Sequence, residues 1–334
     1  MGFLTYVILA VLVVLAYRKG MVWGIGVTVA AAAYAIYTLL PRWYAVMCRR
    51  AFDEKDYKKA EKYGEKGFAR MNFNQKVSYA YMLVRMGKSE RAIDILDSFI
   101  QLRGLDSKNK NTAKRQRCLA YYKEGRYEEA LRDANEVIED GFATKTLYGL
   151  KGMLMLVLGR DLDETTKFCE EAYEYDEDDR DIQDNMSICY YLQNDLEMAE
   201  EINGYVREEN PEFIEGYYHG AQIYIKKKDY KKAQELVSKI SSCSRTDMTT
   251  VSEEAVAVLK REIDGLITGE ITEPEELPLF TLKDAVAPPA DFNKTDTDED
   301  ESGSIYDEYN MLEDEEENEG SIYDEINELE KGNR

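Results

Sequence analysis

Histidine is almost missing from this chain: His219 is the only one in 334 residues. Nothing at a catalytic spacing accompanies it, so it reads as a packed or surface imidazole and not as a general base. Cysteines are few as well. Cys48, Cys118, Cys169, Cys189 and Cys243 are odd in number, widely spaced and without a C-x-x-C pair, which fits reduced thiols in a cytosol better than a disulfide framework or a zinc site. Phosphate-cradling glycine loops, nucleophile elbows and metal-ligand clusters do not occur either. Acid runs such as Asp176-Glu177-Asp178-Asp179 read as solvated hairpin connections. No catalytic residue, cofactor or metal is expected, and the chain is read as something other than an enzyme.

Positive charge is in deficit, with 43 Lys+Arg against 66 Asp+Glu and a net charge of −23. That balance repels nucleic acid and anionic headgroups, so DNA or RNA binding is excluded as a leading idea. The deficit is uneven. Residues 41–145 hold 23 basic against 16 acidic side chains, 146–247 hold 12 against 23, and 248–334 hold 6 against 27.

Residues 1–40 hold only two charges, Arg18 and Lys19, and they separate two apolar runs, 3–17 and 21–40. The second run has the roughly 20 residues that cross a hydrocarbon core as a helix, and the first is short for a span. The expected anchor is therefore a transmembrane helical hairpin. No Lys or Arg precedes the first run and no A-x-A-like site follows it, which disfavours a cleaved signal peptide. Arg42, Arg49, Arg50, Lys55, Lys58 and Lys59 closely follow the second run, placing what comes after it in the cytoplasm. Gly20, Gly24 and Thr28, and likewise Gly26 and Ala30, form small faces. These would pack against the first helix of the same chain or against a second copy.

From residue 41 onward a unit of about 34 residues recurs, starting near Pro41, Phe73, Asn111, Lys145, Arg180 and Ile214. A polar insertion at 106–110 and one extra residue near Leu162 are expected in loops. The eighth position of each unit is small: Cys48, Ala80, Cys118, Gly152, Ser187 and Ala221. So is the twentieth, with Ala60, Ala92, Ala130, Thr165, Ala199 and Ala233. Small residues are needed where two helices of a hairpin cross closely. Larger fillers stand at the eleventh (Leu83, Tyr121, Met155, Tyr190, Tyr224) and seventeenth (Tyr57, Tyr127, Leu196, Tyr230), with glycine-bearing turns between, and Pro211 falls at the thirty-second position of unit 5.

This pattern resembles the tetratricopeptide repeat (TPR) family over 41–247, most specifically in units 3, 5 and 6, and the chain is similar to bacterial membrane-anchored members. The resemblance implies an all-α fold. After the N-terminal transmembrane hairpin comes an α-solenoid of about six helix-turn-helix repeats, then a capping helix within 248–268 carrying Val256, Leu259, Ile263 and Leu266 on one face. It also implies protein or peptide partners bound on a concave surface lined by positions 2, 5, 9, 12 and 13 of each first helix. Those positions carry Asn74, Tyr81, Arg85, Arg115, Tyr122 and Lys123 beside Val77, Val84 and Leu119 in units 2 and 3, a basic stretch. In units 4 and 5 they carry Met153, Leu156, Val157, Asp181, Asp184, Ile188 and Tyr191, apolar and acidic. A groove that changes sign would orient an amphipathic peptide, and the alternative is a merely solvated face.

Residues 269–334 are proline-bearing and acidic, a composition expected to be disordered. Within them, 303–313 and 320–330 are two copies of GSIYDExNxLE. Ser304, Ile305, Tyr306, Tyr309 and Leu312 are echoed by Ser321, Ile322, Tyr323, Ile326 and Leu329. Each copy gives a short helix with a serine cap and one apolar stripe, marginal alone and suited to folding on a partner. The alternative is duplication within acidic filler. Self-association through the anchor, or by docking of the tail on the basic groove, is a further expectation. The expected function is a membrane-anchored scaffold recruiting cytoplasmic partners, or else a structural subunit of a membrane complex in secretion, division or envelope assembly. Usage of Lys, Glu, Tyr and Ile has the style of a low-GC bacterium, which makes its plasma membrane the expected location.

Overall fold

The computed structural model describes residues 3–246 and 248–282, apart from the side chains of Phe3, Leu4 and Tyr6. Fourteen α-helices and two 3-10 turns make up the regular structure of the described residues. The chain divides into one body up to Tyr79 and another from Ala80 onward.

In the first body, α1 (Phe3–Lys19) and α2 (Met21–Asp53) are joined at Gly20, whose φ of 150° suits glycine. They pack together where the Tyr17 ring lies over Gly24, close enough that a Cβ there would meet the ring at 2.3 Å. The small face of α2 is thus used within the chain at Gly24, while Gly26 faces open space. Met21, Val22, Trp23, Val29, Ile36 and Tyr37 are exposed. α2 is the one described helix long and apolar enough to cross a membrane, and its apolar stretch is only 6% buried, unlike the core helix of a soluble protein.

The boundary expected between anchor and first repeat, at 40/41, is absent as a break. Pro41 cannot donate to the carbonyl one turn earlier, yet α2 runs through it and its C-terminal half serves as the first helix of repeat 1. α3 (Tyr57–Gly67) returns along it, capped by Asp56, whose carboxylate accepts from the Lys59 amide at 3.1 Å. Asn72 and Gln75 cap each other reciprocally at the start of α4 (Phe73–Arg85).

The second body alternates first and second helices of successive repeats: α5 (Ser89–Ile100), α6 (Ser107–Lys123), α7 (Tyr127–Glu139), α8 (Lys145–Val157), α9 (Leu162–Tyr175), α10 (Arg180–Leu192), α11 (Leu196–Glu209), α12 (Ile214–Lys226) and α13 (Tyr230–Lys239), followed by α14 (Glu253–Thr268). Helices α4, α8, α10 and α12 begin at the residues where the repeat period places unit starts. α6 begins earlier. The insertion at 106–110 is not a loop: Asp106 caps the Asn109 amide at 2.8 Å and adds a helical turn ahead of Asn111. The extra residue of unit 4 does fall in the turn before α9.

All twelve small residues at the eighth and twentieth positions are buried. In unit 3 the Cys118 thiol donates to the Ala130 carbonyl at 3.2 Å, and in unit 5 the Ser187 hydroxyl donates to the Ala199 carbonyl at 3.1 Å. In these two units the eighth side chain therefore bonds the backbone at the twentieth, which the alanines and glycine of units 2, 4 and 6 cannot do. One residue in each intra-repeat turn has positive φ: Lys55, Gly87, Gly125, Gly159, Asn194 and Lys228. Glycine takes it freely, and asparagine and lysine at some strain.

Candidate peptide-binding groove

Within the second body, polar side chains tie the helices together both within a repeat and between repeats. Arg117 grips Asp133 through two nitrogens at 2.7 and 2.6 Å and reaches Asp97 at 2.5 Å. The Asn185 amide donates to the Gly149 carbonyl at 2.8 Å and the Asn203 amide to that of Gly216 at 2.9 Å, both buried. These bonds fix the register of the first helices, whose inner faces carry the candidate groove.

The expected groove residues are placed unevenly. Asn74 lies in the first body. In the second, Tyr81 is buried and accepts a hydrogen bond from Arg85 at 2.7 Å. Tyr122 is buried against the Tyr127 ring at 6.2 Å, and Lys123, only 8% exposed, has its ammonium 5.9 Å from the Tyr122 ring. Arg115, Met153 and Tyr191 are half-buried, and the Tyr191 ring carries the Lys226 ammonium at 4.4 Å. Residues 303–334, with both copies of the tail motif, lie outside the described residues.

The composition after residue 268 predicts no packing, but the described chain continues as a strap over 270–282 that is tied to the second body. Gly269, at φ 79°, ends α14. Ile271 then folds back on Gly265, where a Cβ would meet it at 2.6 Å. Ile271 and Leu277 pack on the core of α12 to α14, Leu282 is buried, and the Glu275 amide donates to the buried Glu262 at 2.8 Å. Thr281 pairs with the loop before α14, its amide donating to the Thr250 carbonyl at 2.8 Å and its hydroxyl accepting from the Ser252 amide at 2.6 Å.

The strap crosses the inner positions of units 5 and 6. The Tyr218 hydroxyl donates to the Pro278 carbonyl at 2.8 Å, with Gln222 Nε2 at 3.4 Å from the same oxygen. His219 Nε2 lies 2.9 Å from the Leu279 carbonyl, and Nδ1 is 2.9 Å from both carboxylate oxygens of Asp184. Phe280 presents its ring edge-on to the imidazole at 5.7 Å. A carbonyl and a carboxylate both accept, so both ring nitrogens carry protons and His219 is an imidazolium. Burial works against that charge, but the Asp184 charge and hydrogen bonds and the Leu279 carbonyl outweigh it and hold the pKa above the ordinary histidine value. Burial also raises the Glu215 carboxyl, which accepts from the Thr250 amide at 2.6 Å. Beyond the strap, Leu279, Phe280, Thr281 and Leu282 form one wall of an open cleft of about 520 Å³ whose other walls are Tyr127, Leu156 and Val157.

The profile of the N-terminal tetratricopeptide region of Psidin matches residues 114–247. Over residues 114–247 this chain carries tetratricopeptide repeats. A tetratricopeptide repeat protein from Parabacteroides merdae ATCC 43184 is 17% identical with a TM-score of 0.54, the match covering 69% of this chain and 88% of that one. TTC0263, a thermophilic TPR protein from Thermus thermophilus, is 12% identical (TM-score 0.45, 57% of this chain and 98% of that one). YrrB, a TPR protein with an unusual peptide-binding site, is 20% identical (TM-score 0.40, 50% and 83%). No curated protein matches.

Tetratricopeptide arrays are interaction scaffolds, typically non-enzymatic. The repeat positions put Asp184 and Tyr191 on the candidate groove, but Tyr218, His219 and Gln222, which hold the strap, are not among the residues expected there. Positions 5 and 9 of unit 6 fall on Tyr218 and Gln222, so the family's own register was a signal for those two. The apolar Leu277-Pro278-Leu279-Phe280-Thr281-Leu282, set in acidic surroundings, was the signal for the strap.

Proposed function

We propose that this chain is a membrane-anchored scaffold whose concave tetratricopeptide face binds extended peptide segments of cytoplasmic proteins. The observation that carries the reading is the strap. Three side chains of α12 hold main-chain carbonyls of an extended segment on the inner face, and main-chain recognition of that kind suits peptides. The exposed apolar side chains of α1 and α2 support the anchor, and the basic residues that follow it support a cytoplasmic array. In the same reading, the acidic duplicated motif is ligand-like and docks near Arg115 and Lys123, its two copies adding avidity. Unchanged hydrogen-exchange protection around Arg115 after deletion of 303–334 would remove that element.

Two measurements test the scaffold. A photo-crosslinking amino acid at Met153 is expected to capture protein partners that the same group at the exposed Glu170 does not, and equal capture from both positions refutes the groove. Alkaline carbonate is expected to leave the intact chain in the membrane pellet, with Cys243 unreached by an impermeant thiol reagent added outside the cell. Release into the supernatant refutes the anchor.

A further inference from the structure

The strap fits the groove incompletely. Leu277, Leu279 and Phe280 are only half-buried, Pro278 is exposed, and residues 272–276 leading to it are exposed too. Beside it an open cleft of about 520 Å³ runs along Leu156 and Val157. The Gln222 Oε1 oxygen is buried and has no hydrogen-bond partner among the described residues, an acceptor that the strap does not meet. A segment chosen only to finish a core covers such surface and meets such an acceptor, because exposed apolar area and unmet buried acceptors both cost stability. The groove therefore holds chemistry in excess of what its present occupant uses.

What it uses is also informative. The bonds from Tyr218, Gln222 and His219 go to main-chain carbonyls, which any extended peptide offers. Selection falls to the side chains: an aromatic ring edge-on to the imidazolium, and leucines beside an apolar cleft. Asp184 and Glu215 lie close to the site and are already committed, one to His219 and the other to Thr250. An acidic side chain entering here would meet like charge, and an uncharged one would not.

Resting on the reading of the array as a peptide-binding scaffold, we infer that residues 277–282 are an internal stand-in for the ligand. The face formed by α10 and α12 binds, in trans, an extended uncharged segment of the Leu-Pro-Leu-Phe-x-Leu type, which displaces the strap and fills the cleft beside it. The strap is a competitor held at high local concentration by its tether to α14. It excludes weak ligands and yields to one that satisfies Gln222 and occupies the space against Leu156 and Val157.

The test uses the full chain in detergent and a fluorescein-labelled peptide of residues 277–282, the uncharged Leu-Pro-Leu-Phe-Thr-Leu segment. In the L279G/F280G variant, which weakens the strap without touching a helix, the peptide is expected to bind at least tenfold more tightly than to the unaltered chain. A scrambled peptide is expected not to bind. Adding Tyr218→Phe and His219→Ala is expected to abolish the gain, and the milder F280A variant should fall between. No binding to L279G/F280G with its helical circular dichroism and melting transition intact overturns the inference, as does equal affinity for the altered and unaltered chains, which would make the strap no competitor. If binding fails while the Met153 crosslinks persist, this inference alone falls. If the crosslinks vanish as well, so does the scaffold reading.

Discussion

His219 and Asp184 stand on the first helices of adjacent repeats, and the imidazole Nδ1 is equidistant, at 2.9 Å, from both carboxylate oxygens. The other face of the imidazole holds the strap by the Leu279 carbonyl. One proton-dependent group thus ties repeat 5, repeat 6 and the segment after α14 together.

The pH dependence follows in sign. The folded pKa of His219 lies above 6.5, raised chiefly by Asp184 against the opposing effect of burial. Its contribution to stability is fully present below pH 6.5 and is lost as pH climbs through the raised value. Because the chain has one histidine, its imidazole proton resonances titrate without overlap in an NMR spectrum. A midpoint above 6.5 is expected, lowered in Asp184→Asn, and strap residues should become protease-sensitive at alkaline pH before the repeats do. A midpoint at or below 6.5 contradicts the imidazolium assignment.

The turn positions separate glycine from its substitutes. Lys228 holds φ 62° where three other repeats have glycine, so Lys228→Gly is expected to stabilise by about 0.5–1 kcal/mol. Gly125→Ala, at φ 72°, is expected to destabilise by about 1 kcal/mol or more. Thermal melts of the two variants should move in opposite directions.

At the helix crossings, Cys118→Ser keeps a donor for the Ala130 carbonyl, as Ser187 does for Ala199. It is expected to change stability by less than about 1 kcal/mol, whereas Cys118→Leu overpacks the crossing at about 1–3 kcal/mol or more. Denaturant midpoints distinguish the two.

Thiol reactivity should follow burial. Cys48 is pushed up to about 12 and Cys118 beyond the usual thiol range, both by desolvation. Cys243, half-exposed and raised less, is expected to be alkylated first by iodoacetamide at pH 8, as read by peptide mass spectrometry. Early labelling of Cys118 would show that unit 3 opens locally.

Arg117 joins the two helices of repeat 3 through Asp133 and reaches repeat 2 through Asp97, so its loss tests both joints. Replacing it with methionine leaves Asp133, with a side chain only 3% exposed, without its bidentate partner. A loss of about 3–5 kcal/mol is expected in chemical unfolding.

The repeats were legible because their information is local and periodic. Small residues at the eighth and twentieth positions and a turn at the fifteenth recur often enough that four first helices begin at their expected residue. Asp106 shows the limit: a polar run reads as a loop, but an aspartate with a free carboxylate two residues before a good helix former starts a helix instead. The 40/41 boundary misled for the opposite reason, since the apolar run ends and the repeat period starts there in sequence while one helix runs through both. The candidate groove is given in the sequence only as a set of repeat positions. The strap depends on Pro278 and Leu279 meeting Tyr218 and His219 some sixty residues away, and no short-range pattern encodes that meeting.

The unbroken course of α2 has a mechanical consequence under the proposed anchor. With no flexible joint at Pro41, the azimuth at which repeat 1 leaves the bilayer is locked to the phase of the helix beneath it. Each residue inserted near the junction would turn α3 about the α2 axis by about 100° and lift it by about 1.5 Å. One insertion would therefore aim the first hairpin in a different direction, while an insertion of about eighteen residues, five full turns, would restore its bearing at a greater height.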